Sequence, residues 1–259
     1  MKIKTLSILA IVSVMSISCQ ETKKDDGKMD SSTITIEKLK GSAQFPDASL
    51  TLEKPTESQI NSAGEVDFMF KVDGYELGTQ TDSPVKSMLA NSDKGQHIHF
   101  ILDNDPYSAH YEPEFKKEIP AGTHYMVAFL SRSYHESVKN TNSFVTKKMV
   151  VGDGATDEMN VDLETPTLIY SRPKGEYSGA DTDNLMLDFF LLNTTLSEDG
   201  NKVRATINGK EFMITEWAPQ VIKGLPKGEV TVKLELLDAS GNLIPGGFNE
   251  VTRTVTLKE

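Results

Sequence analysis

The sequence predicts an all-β chain with two β-sandwich domains in tandem. Three observations support this: short runs of alternating apolar and polar residues, frequent Gly, Pro, Asn and Asp between them, and an internal repeat. After the N-terminal segment we find no convincing amphipathic helical pattern. The 259 residues are enough for two domains of ordinary size.

The first 18 residues are predicted to be a signal peptide for export. Lys2 and Lys4 precede a mostly apolar run that is too short to span a bilayer comfortably, and small residues precede the only cysteine. The segment Ser16–Cys19 resembles a lipobox, so the chain resembles a bacterial lipoprotein with Cys19 as its lipidation site. Acyl chains such as palmitate on Cys19 would anchor the protein to the lipid bilayer. The alternative is an ordinary signal peptide that happens to contain a cysteine.

Residues 19–32 are predicted to be the lipidated cysteine and a flexible tether, because they are polar, charged and without an apolar period. Residues 20–26 resemble the Lys/Asp-rich signals that send some Gram-negative lipoproteins to the cell surface. A plain hydrophilic spacer is the alternative. The expected location is therefore the outer membrane, facing either the periplasm or the cell surface.

The rest of the chain is predicted to form domain 1 over residues 33–152 and domain 2 over residues 166–259. Each copy of the repeat supplies about six or seven strands over roughly 100 residues. The spacing is longer in the first copy, which places an insertion within residues 74–95. The matching segments, in order, are Leu50–Pro55 with Leu168–Pro173, Val66–Val72 with Leu185–Leu192, Ile98–Leu102 with Val203–Ile207, Ile119–Gly122 with Leu225–Gly228, His124–Leu130 with Val230–Leu237, and Val145–Val151 with Val251–Leu257.

Turn motifs of the second copy carry a family resemblance. Arg172–Gly175, Ile207–Gly209 and Leu225–Gly228 resemble the turns of small immunoglobulin-like modules in exported bacterial proteins. CopC-type periplasmic copper-binding domains are loosely similar. The resemblance implies two tandem immunoglobulin-like sandwiches and says little about function. CopC-type carriers use a histidine at a free amino terminus, which an acylated Cys19 would not provide.

The charge balance argues against nucleic acid as a partner. The chain has 27 basic and 38 acidic residues, a formal charge of −11. Such a surface repels phosphates, and no basic stripe offsets it.

The five histidines all lie between residues 97 and 135, in the first copy. His97 and His99 fall on a predicted strand, where alternate side chains share a face, and His-x-His is common in zinc and copper sites. His124 is the preferred third ligand, and the other candidates are His110, His135, Asp103, Asp105, Glu112 and Met126. The repeat alignment counts against it, since it puts His124 on the core face, opposite the outward-facing pair, unless a bulge intervenes. Metal affinity should fall as the pH drops through the usual imidazole range. Ordinary surface or hydrogen-bonding histidines are the alternative.

An apolar outer face next to the pair suggests a different function. Tyr125, Val127 and Phe129 replace outward polar residues of the second copy, and a loop, Ser131–Ser137, follows them. Such a patch either binds a partner or is covered by the second domain or the insertion. The residues predicted to bind a protein, peptide or glycan are His110, Tyr125, Phe129, Arg132, Tyr134 and His135.

Catalysis is not expected. Ser, His and Glu within Ser131–Ser137 are too close in sequence for triad geometry, and the chain has no Gly-x-Ser-x-Gly motif, so a hydrolase is a remote alternative. The sequence favours a membrane-anchored extracytoplasmic binding lipoprotein. Its first domain would bind the ligand, and its second would be mainly structural.

Overall fold

Strands form almost all the regular structure in the computed structural model, which describes residues 33–259. This confirms the all-β prediction. The signal peptide (1–18), the lipidation site Cys19 and the tether (19–32) lie outside the described residues. Within the described range, no helix has both the length and the apolar character needed to cross a bilayer.

The strands are numbered in chain order. Those before the middle of the chain are β1 (Thr35–Lys38), β2 (Ser49–Lys54), β3 (Gln59–Ile60), β4 (Gly64–Asp73), β5 (His97–Leu102), β6 (Ser108–His110), β7 (Glu114–Ile119), β8 (Gly122–Ser131) and β9 (Phe144–Val151). Those after it are β10 (Thr167–Arg172), β11 (Glu176–Tyr177), β12 (Leu185–Leu192), β13 (Lys202–Ile207), β14 (Lys210–Ile214), β15 (Gln220–Lys223), β16 (Gly228–Leu237) and β17 (Glu250–Leu257).

The two halves share one strand order. The first half has sheets β2-β4-β7 and β3-β9-β8-β5-β6, and the second has β10-β12-β15 and β11-β17-β16-β13-β14. In each half a proline, Pro55 or Pro173, follows the first strand and cannot donate to the ladder. The chain then crosses over, and β3 or β11 pairs in parallel with the last strand of the opposite sheet. Each half is therefore an immunoglobulin-like sandwich.

The ladders agree with the repeat alignment. In the first half β5 pairs with β8 so that Ile98 lies opposite Leu130, and in the second β13 pairs with β16 so that Val203 lies opposite Leu236. All four side chains are buried in the cores of their own sandwiches. The strand equivalences read from the sequence thus extend to the side of the sheet that each residue faces.

Strand β1 departs from the predicted domain boundary. Its residues fall within 33–152, the predicted first domain, yet β1 pairs antiparallel with β15 of the second half. Ile34 is buried in the core of the second sandwich, and Ile36 packs against the same core. The alternating apolar residues and the otherwise unpaired edge of β15 account for this placement.

The outer face of the first sandwich is covered by the second. Phe129 stacks on Phe190 with ring centroids 4.8 Å apart, and the edge of Trp217 lies against Phe190 at 5.0 Å. The apolar face predicted at Tyr125, Val127 and Phe129 is therefore an internal contact. The buried residues shared by the two halves are Ile101, Tyr107, Tyr125, Val127, Phe129, Val161, Ile169, Phe190, Leu192 and Phe248.

The insertion at residues 74–95 covers the loop that follows β8. Thr81 and Ser133 exchange hydrogen bonds: the Thr81 amide donates to Ser133 Oγ at 3.2 Å, and the Ser133 amide donates to Thr81 Oγ1 at 2.9 Å. Val85 lies in a short 3-10 helix, Pro84–Ser87, and is buried beside Tyr134. The insertion therefore fixes the conformation of the loop 131–137.

Candidate metal centre

Strand β5 directs His97 and His99 to the same side of the sheet, because side chains two residues apart on a strand share a face. That side faces the second sandwich, and both imidazoles have 0% exposure. Their Nε2 atoms are 2.9 Å apart. The pair therefore lies on the outer face of the first sandwich, as the strand alternation predicts, and this face is buried against the second sandwich.

His135 is the third member of the cluster. It lies in the turn after β8 with φ of 69°, a left-handed conformation that histidine adopts more readily than most residues. Its amide donates to Arg132 O at 2.9 Å, and a buried ion pair between Arg132 and Glu136, at 3.2 Å, closes the turn. His135 Nδ1 is 3.1 Å from His97 Nε2. One ring nitrogen from each of the three histidines lies within 4.8 Å of the others.

The structure does not bring His124 to the pair. The β5–β8 ladder runs without a bulge, so Met126 and Ala128 face the core of the first sandwich and His124 lies on their side of the strand. Its Nδ1 is 2.6 Å from Asp103 Oδ2, and its Nε2 is 3.0 Å from Pro120 O. Strand register therefore excludes His124 as the third ligand and gives it a structural role.

Two hydrogen bonds orient the imidazoles of the pair. His97 Nδ1 donates to Gly95 O at 2.8 Å, which leaves the Nε2 lone pair directed at the other two rings. Gly95 has φ of +86°, and a Cβ there would lie 2.6 Å from Thr79 O, so only glycine brings its carbonyl to this place. His99 Nδ1 is 3.2 Å from Ser171 Oγ of the second sandwich. Such second-layer contacts fix the tautomer and aim of metal-binding histidines.

An aromatic wall and two cations enclose the cluster. The Tyr107 ring stacks on His99 with centroids 3.5 Å apart, and its hydroxyl is 3.2 Å from His135 Nδ1. Lys174 Nζ is 4.0 Å from the centroid of the Tyr107 ring, and Arg172 Cζ is 5.3 Å from it. Both cations come from the second sandwich, so the site is completed across the contact between the two halves.

Burial keeps the three imidazoles neutral. It lowers the pKa of His97 to about 4, and the positive charges of Arg172 and Lys174 act in the same direction. Burial also holds the pKa of His99 and of His135 well below the usual 6.5. Neutral imidazole is the form that binds metals. Because their pKa values are lowered, the three imidazoles of the metal-free protein remain neutral at pH values below the usual imidazole pKa of 6.5, where the sequence alone predicts protonation.

The spacing of the nitrogens suits a metal ion after small adjustments. Zinc or copper bonds to imidazole nitrogen at about 2.0–2.1 Å, which places neighbouring ligand atoms of a tetrahedral site about 3.3 Å apart. The separations of 2.9 and 3.1 Å from His97 Nε2 lie just below this value. Ring rotations that move these nitrogens by a few tenths of an ångström would therefore admit an ion beside His97 Nε2.

Four of the predicted ligand-binding residues have no free surface. Tyr125 and Phe129 are buried between the sandwiches, and Tyr134 is buried beneath the insertion. Arg132 donates through Nε to Ala43 O and through Nη1 to Ser137 O, each at 2.8 Å. The second sandwich covers Tyr125 and Phe129 and the insertion covers Tyr134, which is the alternative that the sequence left open for this face.

His110 is half-buried on β6, outside the cluster. Its ring stacks on Phe115 at 3.4 Å, and its Nε2 is 2.9 Å from Ser108 Oγ. It lines a surface cavity of about 570 Å³ together with Tyr111 and Phe115. The Tyr111 ring is 5.0 Å from the His97 ring, so the cavity lies directly beside the cluster.

Sequence reasoning missed several neighbours of the cluster. Tyr107 and Tyr111 flank β6, the hairpin partner of β5, and an aromatic pair around that strand was an available signal. The other neighbours lie about 70 residues after the His97–His99 pair in the sequence; they are Ser171, Arg172 and Lys174. Only the packing of one sandwich on the other brings them to the histidines.

Comparison with protein-family models and with curated proteins found no match. Among solved structures, the fibronectin(III)-like modules of Clostridium thermocellum CbhA are 11% identical over 81% of this chain and 94% of that chain, with a TM-score of 0.28. SGBP-B of the Bacteroides ovatus mixed-linkage glucan utilization locus, in complex with a mixed-linkage heptasaccharide, is 10% identical over 81% of this chain and 70% of that one, with a TM-score of 0.26. The central fibronectin-III array of RIM-binding protein is 12% identical over 84% and 71%, with a TM-score of 0.23. At these TM-scores the likeness assigns no function, and the fold given above rests on the strand order of this chain.

Proposed function

We propose that this chain is a non-catalytic, exported binding protein that holds one copper or zinc ion at His97, His99 and His135. The observation that carries the proposal is the convergence of three imidazoles, two buried and one half-buried, whose ligand atoms lie within 4.8 Å of one another. Three nitrogen ligands with a position open to an exogenous group are a common arrangement at zinc and copper.

The surroundings of the three rings support this proposal. Each imidazole is neutral near pH 7 because it is buried. His97 and His99 are oriented by Gly95 O and Ser171 Oγ. Because His97 Nδ1 donates to Gly95 O, its Nε2 lone pair points at the other two rings and is available to a cation bound between them.

The full chain, purified in detergent, should bind one equivalent of copper or zinc with a dissociation constant below about 10 μM. Replacing His97 or His135 with alanine should weaken binding at least about 100-fold, because each change removes a ligand. Titration against a coloured chelator measures the affinity. His124→Ala is the matched control, since this imidazole bonds to Asp103 instead, and it should bind metal as the unaltered chain does. Equal binding by the His135→Ala variant and the control would rule out this site.

Lipid attachment at Cys19 is part of the same proposal. The lipobox-like segment before Cys19 and the polar tether after it support an outer-membrane lipoprotein that faces the periplasm or the cell surface. Labelled palmitate should enter the unaltered chain in cells and should not enter the Cys19→Ala variant.

Glycan binding is a second candidate function, supported by the cavity beside the cluster. Half-buried Tyr111 and Phe115 line this cavity of about 570 Å³, a volume in the range of small-molecule sites, and aromatic rings offer flat apolar surfaces to a sugar. Calorimetric titration with a panel of hexa- and heptasaccharides should then show saturable binding that Tyr111→Ala abolishes. No heat of binding with any of them would remove this candidate.

A further inference from the structure

We infer that the His97–His99–His135 site selects monovalent copper, Cu(I), over divalent copper and zinc. This inference rests on the proposed metal-binding function and identifies its ion. It follows from four features of the cluster: neutral ligands, nearby cations, burial, and the wide spacing of the nitrogens.

The donor set carries no negative charge. Within residues 33–259, the potential ligands that converge are three imidazoles, and no carboxylate or thiolate is among them. The nearest acid in sequence, Glu136, forms a buried ion pair with Arg132. The Tyr107 hydroxyl is 3.2 Å from His135 Nδ1 and is its hydrogen-bond partner. An ion in this site keeps its full charge.

Two positive side chains lie near that charge. Lys174 Nζ is 4.0 Å from the Tyr107 centroid, which is 3.5 Å from the His99 centroid, so the ammonium is within about 8 Å of the His99 ring and within one Debye length. Arg172 stands over the same tyrosine. Coulomb repulsion is proportional to the charge of the bound ion, so a divalent ion is repelled twice as strongly as a monovalent one.

Burial adds to this discrimination. His97 and His99 have 0% exposure, and His135, in the loop 131–137, is half-buried with its Nδ1 3.2 Å from the Tyr107 hydroxyl. The free energy needed to transfer an ion from water into such surroundings rises with the square of its charge, so a divalent ion requires about four times as much as a monovalent one.

The spacing of the nitrogens also favours Cu(I). His97 Nε2 is 2.9 and 3.1 Å from its two neighbours, whereas the widest separation in the group reaches 4.8 Å. A tetrahedral zinc site needs all separations near 3.3 Å and a fourth ligand. Two bonds of about 2.1 Å span at most about 4.2 Å, so the rings must close slightly around an ion, and Cu(I), which forms two- and three-coordinate complexes, does not need the fourth ligand that a zinc site requires.

Competition between ions tests the inference. The full chain in detergent is titrated anaerobically with Cu(I) in ascorbate against a Cu(I)-specific chelator, and separately with Cu(II) and Zn(II) against chelators for divalent ions. We expect Cu(I) to bind at least about 100-fold more tightly than either divalent ion, a reversal of the ordinary preference of imidazole sites for Cu(II). His135-dependent binding in which Cu(II) or Zn(II) equals Cu(I) would overturn the selectivity and leave the metal site intact. If the chain binds none of the three ions, the proposed metal-binding function is overturned as well.

A charge variant tests the cause. Lys174→Met removes the ammonium and keeps most of the aliphatic stem, so it should strengthen Cu(II) and Zn(II) binding at least about tenfold more than Cu(I) binding. Lys148→Met is the matched control, because this ammonium stands 5.4 Å from the Tyr125 ring centroid rather than over Tyr107. Thermal melting followed by circular dichroism shows that both variants are folded. An unchanged Cu(I)-to-divalent ratio in folded Lys174→Met would contradict the electrostatic origin of the selectivity.

Discussion

Acidification from pH 7 to pH 4 is expected to lower the free energy of unfolding of the metal-free chain by at least about 3 kcal/mol. Burial lowers the pKa of the His97 imidazole from its usual 6.5 to about 4. A difference of this size between the folded and unfolded chain corresponds to about 3 kcal/mol. His99 and His135 are shifted in the same direction by burial, so they add to the loss.

The sign follows from proton uptake. Between pH 6.5 and about 4 the unfolded chain protonates His97, whereas the folded chain keeps it neutral. The unfolded state therefore binds more protons in this window, and its stability relative to the folded state rises as the pH falls. Salt-bridged carboxylates contribute mainly below about pH 4.5, because the pKa of Glu235 is lowered from 4.5 to about 2 by its bond to Arg204. Between pH 6.5 and about 4.5 the histidines therefore dominate, and His110 contributes beside the cluster because burial lowers its pKa to about 4 as well.

Urea unfolding at pH 7, 5.5 and 4, followed by the fluorescence of the single tryptophan, Trp217, measures this effect. The double variant His97→Gln/His135→Gln should lose much of the pH dependence. His124→Gln is the control and should retain it, since His124 lies outside the cluster. An equally steep loss of stability in the double variant would show that other groups control the acid response.

The internal repeat accounts for what the sequence could predict about the site. Aligning Ile98 with Val203 sets the faces of β5, so the shared orientation of His97 and His99 follows from alternation alone. The same alignment places His124 on the opposite face of the sheet from the pair. In the structure His124 bonds to Asp103 and not to the pair, which agrees with this placement. Local patterns of this kind need only a strand and a register.

The rest of the site depends on features without a local signal. His135 reaches the cluster because a turn holds it at φ of 69° and the insertion fixes that turn, and neither is encoded in an alternating pattern. Arg172 and Lys174 reach it only because the two sandwiches pack against each other. The same packing decides between the two alternatives for the apolar patch at Phe129, a ligand platform or a covered face, in favour of the covered face. Long-range packing therefore determines both the third ligand and the charge around the site.

Replacing Phe190 with alanine is expected to lower the free energy of unfolding by about 3–5 kcal/mol. Phe190 has 0% exposure and lies between the two sandwiches. Its ring stacks on Phe129 at 4.8 Å and contacts Phe144 and Trp217 at 5.0 Å each. Truncation leaves a cavity between two rigid sheets, which cannot close without separating other contacts. Urea unfolding at pH 7 gives the change in free energy.

The matched control is Phe212→Ala, the same truncation on the edge strand β14. Phe212 is only partly buried against the core of the second sandwich, so its loss should amount to no more than about 2 kcal/mol. If the contact between the halves is as important as its burial indicates, Phe190→Ala should also destabilise the first sandwich. Hydrogen exchange would then show faster exchange in β5 and β8, which form the covered face, as well as in β12. Equal losses in the two variants, or faster exchange confined to β12, would mean that each sandwich is stable without its neighbour. The histidine cluster would in that case not depend on the contact that brings Arg172 and Lys174 beside it.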